Sequence, residues 1–105
     1  MIKVAFLYPN KPGSRFDADY YIGVHLPLAT RLLKPALKAV SAEIGVSSAI
    51  QDQPPPFHAM CAFTFESVQA FTEAVMPHYV ELQGDIPNYT DIEPVVQIGE
   101  LRISE

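Results

Sequence analysis

His25 is the residue in this chain best suited to chemistry. An imidazole exchanges protons near neutral pH and acts as acid, base or hydrogen-bond donor. It lies in the stretch DADYYIGVHLPLATRLL, residues 17–33, where Tyr21, His25, Leu28 and Leu32 recur at spacings of four, three and four. That spacing makes one helical face, and an apolar face turns towards a sheet rather than water. Pro27 follows two residues later. It has no N–H to bond the carbonyl of Gly23, and its ring crowds that carbonyl. A kink or break is therefore expected around residues 23–26. Two readings of His25 stand side by side: an acid–base group in a cleft, or a core histidine whose ring is satisfied by a freed carbonyl.

The other candidates are aromatic or sulfur-bearing. Phe6 and Tyr8 share a strand face with Val4. They line a cleft with His25 if that face meets the helices, and otherwise are ordinary aromatic core. Cys61 and Phe63 carry the same pair of readings on another strand. Cys61 has no cationic neighbour in sequence to stabilise a thiolate, which favours an inert buried thiol over a nucleophile. Tyr21 shares the face of His25. Tyr79 and Tyr89 are candidate pocket or rim hydroxyls, or simply tyrosines tucked at the surface. His58 and His78 complete the histidines. No two of the three stand at i,i+3 or i,i+4, so no metal pair is written into a helix. The chain has no GxGxxG, no phosphate loop, no GxSxG elbow and no CxxC.

These residues need a scaffold. Residues 2–8 form a strand with Ile2, Val4, Phe6 and Tyr8 on one face and Lys3, Ala5 and Leu7 on the other. Both faces are largely apolar, as in a central strand covered on two sides. A loop, PNKPG, follows. Asp17 caps the first helix, and Lys34-Pro35 ends it. Residues 37–44 are a second strand and residues 45–56 a loop, whose QDQPPP portion favours polyproline II. Phe57, Ala59, Cys61, Phe63 and Phe65 alternate along a third strand, residues 57–65. A second helix starts near Glu66-Ser67 with the seam Val68, Phe71 and Val75. Pro77 restarts it as a short helix to Leu82, and Gly84 supplies the stop. Residues 85–91 form a loop, and residues 93–103 the last strand. The order β-α-β-β-α-β is the ferredoxin-like split arrangement, α+β in class, with an antiparallel four-stranded sheet and both helices on one face. The other sheet face then needs a cover, which a homodimer formed sheet against sheet supplies.

Bulk properties narrow the partners. The 105 residues make one domain, 1–105. Seven basic against twelve acidic residues give a net charge of −5. That charge argues against nucleic acid and against an anionic membrane surface. No apolar run approaches the roughly 20 residues that span a bilayer, and no signal peptide is visible. One cysteine without a partner fits a reducing, cytoplasmic setting.

Taken together, MIKVAFLYPNKPG, DADYYIGVHLPL, the proline loop, AFTFESVQAF and GDIPNYTDIEPVVQI resemble the EthD family, named for ethyl tert-butyl ether degradation, over nearly the whole chain. The resemblance implies a subunit that pairs into a dimeric α+β barrel, with a small-molecule pocket between sheet and helices. Family members are often labelled reductase, and some sit beside oxygenase systems. The wider group includes polyketide cyclases, antibiotic-type monooxygenases, haem-degrading enzymes and lyases. The cyclases use a histidine and a tyrosine for acid–base work. The first-helix histidine of the pattern matches His25. The likeness of TFES to cyclase sequences points Cys61 and Phe63 into the pocket, and it brings Tyr79 near the place of a cyclase histidine, a departure from the cyclase pattern.

The functional expectation has two branches. One is an enzyme, either an oxidoreductase or a cofactor-free acid–base catalyst, acting on a small apolar or phenolic compound of a catabolic or polyketide-type pathway. His25 and Tyr79 are its catalytic candidates, and Phe6, Tyr8, Tyr21, Cys61, Phe63 and Tyr89 its binding candidates. No flavin, nicotinamide or metal motif accompanies them, so no cofactor is assigned. The other branch is a non-catalytic small-molecule-binding accessory protein of an oxygenase or degradation system. Both require a cavity of roughly 300 Å³ or more beside His25.

Overall fold

A computed structural model describes all of residues 1–105. Four strands, β1 (Ile2–Pro9), β2 (Ala39–Ile44), β3 (Phe57–Phe65) and β4 (Val95–Glu100), form one sheet in the order β2-β3-β1-β4, with every neighbouring pair antiparallel. This is the ferredoxin-like arrangement. The register places Val4 opposite both Phe63 and Ile98, and Phe6 opposite both Cys61 and Val96. Strand alternation therefore turns Val4, Phe6, Tyr8, Ala59, Cys61, Phe63 and Phe65 to one face. That is the face the helices cover: Val4, Ala59 and Phe65 are fully sealed.

The first helix, α1, is continuous through three segments: α-helical Ala18–Tyr20, π-helical Tyr21–His25 and α-helical Leu26–Leu33. Asp17 caps it, its carboxylate accepting from the Tyr20 N–H at 3.1 Å. The proline effect takes the form of this wide turn. The Leu26 N–H reaches back five residues to the carbonyl of Tyr21, and Pro27 occupies the position whose N–H an α-helical ladder would need. The inserted residue corrects the helical face expected from spacing. Tyr21 and His25 do face inward, but beyond the wide turn the face moves by one position. Leu26, Ala29 and Leu33 fill the core, while Leu28 and Leu32 are only half-buried.

The second helical region comprises α2 (Val68–Val75), a 3₁₀ turn Met76–His78 with Pro77 as its second residue, and α3 (Tyr79–Asp85). Ser67 caps α2 by accepting from the Ala70 N–H at 3.0 Å. Val68 is not part of the inner seam: it is 49% exposed, and Ala70, Phe71, Ala74 and Val75 pack on the core instead. Gly84 does not end the helix. Its φ is not positive, and α3 runs on to Asp85 and then into a 3₁₀ turn, Ile86–Asn88. The first half of the expected 85–91 loop is therefore helical.

Both edge strands are shorter than expected. β2 begins at Ala39, because Leu37 continues the turn after α1 and buries its side chain. β4 begins after Pro94, which has no N–H for a ladder, and stops at Glu100. Gly45 is required where β2 meets the loop: a Cβ there would stand 2.2 Å from the carbonyl oxygen of Phe57. No helix is long and apolar enough to cross a membrane.

Candidate functional site

The wide turn in α1 directs two side chains of the same helix, Tyr21 and His25, into one aromatic nest. Their rings stack at 5.9 Å, and Tyr89 lies 4.7 Å from the imidazole. Tyr8 rises from β1 into the same nest, with its hydroxyl 2.8 Å from that of Tyr89. Phe16 closes it, 5.1 Å from both Tyr8 and Tyr21. The segment carrying Tyr89 is pinned to the start of α1. The Asp17 N–H donates to the Tyr89 carbonyl at 2.7 Å, Thr90 donates to the Arg15 carbonyl at 2.6 Å, and Arg15 donates to the Pro87 carbonyl at 2.8 Å.

His25 has a partner that spacing did not reveal. Its Nδ1 lies 2.8 Å from Oδ2 of Asp85, at the end of α3. Asp85 also accepts from the Tyr20 hydroxyl at 2.5 Å and from the Asn88 amide at 2.9 Å. The side chains of His25 and Asp85 are only 10% and 12% exposed. Burial pushes the Asp85 carboxyl up, but the hydrogen bonds from Tyr20, Asn88 and His25 outweigh it and hold the carboxyl below its ordinary value. Asp85 is thus an anion that only accepts, so Nδ1 of His25 carries a hydrogen towards it, and in the neutral ring Nε2 holds the lone pair. Nε2 makes no hydrogen bond within the protein, and no buried side-chain nitrogen or oxygen is left unpaired. It is therefore open to the space the ring lines.

That space is a cavity of about 340 Å³ between the sheet, α1 and the α2–α3 region. Phe6, Phe63 and Val96 form its sheet wall, with Phe6 and Phe63 meeting edge to face at 5.7 Å. Leu26, Ala29 and Leu33 form the α1 wall, and Phe71, Val75, Leu82 and Ile86 the opposite one. Tyr8, Tyr21, His25 and Tyr79 complete the lining, with Gln83 and Glu93 beside them.

Six of the eight residues singled out from the sequence thus line one cavity: Phe6, Tyr8, Tyr21, His25, Phe63 and Tyr79. Tyr79 is 51% exposed, a wall residue with access to solvent. Tyr89 and Cys61 do not line it. Tyr89 stands behind His25 and Tyr8 as their support. Cys61 lies under the nest, and burial pushes its thiol up to about 11, with the Tyr21 hydroxyl opposing that shift. Burial likewise raises Tyr8, Tyr21 and Tyr89, keeping all three as neutral phenols. His58 does not line the cavity: its Nε2 lies 2.9 Å from the Ser14 hydroxyl, and its ring stacks on Phe16 at the edge of the nest. No group of three or more His, Cys, Asp or Glu side chains could hold a metal ion.

Asp85, Tyr20 and Asn88 were missed because 60 residues separate the histidine from its carboxylate. One signal was available. Asp85 stands three residues after Leu82 and one before Ile86, a carboxylate on an apolar helical stripe.

Comparison with known proteins agrees with this architecture. The model of the EthD domain matches residues 14–93. The structure is similar to that of an EthD-like protein from Ralstonia eutropha JMP134, with 41% sequence identity and a TM-score of 0.95 over 99% of this chain and 94% of that one. An ethyl tert-butyl ether degradation (EthD) family protein from Bacillus halodurans C-125 is 20% identical, with a TM-score of 0.76 over 97% of this chain and 99% of that one. A DABB family protein with a ferredoxin-like fold from Mesorhizobium loti is 10% identical, with a TM-score of 0.59 over 98% and 97% of the two chains. A search of curated proteins returns no match. With its domain pattern covering the first helix, Tyr89 and Asp85, this chain belongs to the EthD family.

Proposed function

We propose that the protein is a cofactor-free acid–base enzyme that moves a proton on a small, largely apolar or phenolic compound. The observation that carries this reading is the His25–Asp85 pair: Nδ1 held by a carboxylate at 2.8 Å, with Nε2 free beside an apolar cavity of about 340 Å³. The volume falls within the range of small-molecule sites. In the reaction, Nε2 takes a proton from an acidic O–H or activated C–H, and the electron pair of that bond stays on the substrate. Asp85 stabilises the imidazolium that forms and fixes the ring's orientation, a positioning role. The reverse transfer returns the proton to another atom of the substrate. Tyr79 lines the same cavity, and its hydroxyl is the second candidate for polar contact with the substrate. Phe6 and Phe63 hold its flat body.

The test is turnover of a panel of hydroxyaromatic and β-dicarbonyl compounds by the wild type and His25→Ala, with binding measured alongside. Loss of turnover by about 10²–10⁴-fold with binding retained supports the reading. Equal turnover by both proteins overturns it. Ligand binding without turnover by either protein assigns the site to an accessory binding protein instead.

The same reading takes the protein as a homodimer in a reducing cytoplasm. The sheet face opposite the helices carries Ala5, Leu7, Met60, Ala62 and Val95 among Lys3, Glu43 and Gln97, and no element of the chain covers it. Light scattering at micromolar concentration tests the dimer, and a mass near the 11.6 kDa of one chain refutes it.

A further inference from the structure

The cavity wall holds a pattern of charge that narrows what can enter. No lysine or arginine lines it, and thirteen of its seventeen lining residues are hydrophobic. Its one carboxylate is Glu93, and the chain as a whole carries a net charge of −5. An anionic ligand would find no counter-charge there and would approach against the field of the protein. The tautomer of His25 adds a second constraint. Because Nδ1–H donates to Asp85, Nε2 of the neutral ring offers a lone pair and seeks a hydrogen-bond donor. A ligand with only acceptor oxygens leaves that nitrogen unpaired in an apolar cavity, a loss of the kind that separates hydroxyl-bearing ligands from their analogues.

Resting on the acid–base reading, we propose that the ligand is uncharged when it binds, and that it is a flat apolar molecule presenting one acidic hydrogen to Nε2 of His25: a hydroxyaromatic or an enol, not a carboxylate, phosphate or ether. The negative charge appears only after binding, when the O–H bond breaks, the electron pair remains on oxygen and the proton joins Nε2. The resulting ion pair is flanked by Asp85, which repels the new anion but holds the imidazolium more strongly, at 2.8 Å. The site thus selects the neutral acid and develops charge in place.

The experiment compares three ligands of one shape on the wild-type protein at about pH 7: 2-naphthol, 2-methoxynaphthalene and 2-naphthoate, followed by calorimetric or fluorescence titration. The one-ring set of phenol, anisole and benzoate is run beside it to cover a narrower entrance. The hydroxyl compound is expected to bind about tenfold or more tighter than its ether, and on the order of a hundredfold tighter than its carboxylate. In Asp85→Asn the amide donates to Nδ1 and moves the ring proton to Nε2, so the preference for hydroxyl over ether should disappear. A carboxylate or an ether binding within about threefold of the hydroxyl compound overturns the assignment. So does failure of both hydroxyl compounds to bind. The acid–base reading fails separately: selective binding of the hydroxyl compounds with no proton transfer leaves the ligand class standing and removes the catalysis.

Discussion

Replacing Asp85 by asparagine keeps the shape of the side chain and removes its charge, which isolates the contribution of the carboxylate. In the wild type it accepts from His25 at 2.8 Å, Tyr20 at 2.5 Å and Asn88 at 2.9 Å. Hydrogen bonds to a charged group contribute about 1.5–3 kcal/mol and neutral ones about 0.5–1.5 kcal/mol. Oδ1 of the asparagine can still accept from Tyr20 and Asn88, so each of these bonds drops by about 1 kcal/mol. The amide nitrogen now meets Nδ1–H of His25, and that contact is restored only if the ring shifts its proton to Nε2. The sum is a destabilisation of about 2–3 kcal/mol, or a fall in Tm of about 8–12 °C for a domain of this size. Thermal melts by circular dichroism read the stability, and long-range proton–nitrogen correlation spectra of the imidazole read the tautomer. In the neutral ring the wild type should show hydrogen on Nδ1 and a bare Nε2, and the variant the reverse. A variant melting within about 2 °C of the wild type, or a wild-type ring protonated on Nε2 alone, would refute the reasoning about the pair.

Two further outcomes follow from titration. The Asp85 carboxyl lies below its ordinary value in the folded protein, so its contribution to stability is complete above the unfolded pKa of about 3.9. It is lost as pH falls through the lower folded value. Urea unfolding at neutral and strongly acidic pH should therefore show a larger loss in the wild type than in Asp85→Asn, and equal losses would contradict the network. Cys61 runs the other way. Its thiol is raised to about 11 by burial, so the fold is destabilised as pH climbs from the ordinary thiol value, about 8.5, towards 11. At mildly alkaline pH, where a free cysteine reacts with disulfide reagents, Cys61 should react slowly until denaturant is added. Native reaction at the unfolded rate would show that the thiol is open.

Much of the fold was legible because its signals are local. Strict alternation from Phe57 to Phe65, the cap at Asp17, the helix start near Glu66-Ser67 and Pro77 in the turn between two helices each act within a few residues. Errors arose where one residue altered the geometry of its neighbours. Pro27 is visible in sequence, but a proline can kink a helix, break it or widen one turn. Only the wide turn moves Leu26, Ala29 and Leu33 inward in place of Leu28 and Leu32. Val68 followed the right period, yet it sits at the solvent margin of α2. At the site, Phe6, Tyr8 and Phe63 were readable from strand parity and His25 from its helical face. Asp85 is not, because the stop expected at Gly84 places the carboxylate in the expected 85–91 loop. The sequence leaves Tyr89 as a pocket or rim hydroxyl or a tyrosine tucked at the surface, and its buried place behind His25 depends on the contacts between residues 15–17 and 87–91 that sequence order does not show.

Solvent exchange tests most directly whether His25 moves a proton. A 1,3-dihydroxyaromatic compound exchanges its ring hydrogens through a keto tautomer, and in deuterium oxide the loss of the ring proton signal reports the rate without any cofactor. The wild type should accelerate the exchange, and His25→Ala should lose about 10²–10⁴-fold of that acceleration while still binding the compound. Acceleration of equal size in both proteins would contradict the account.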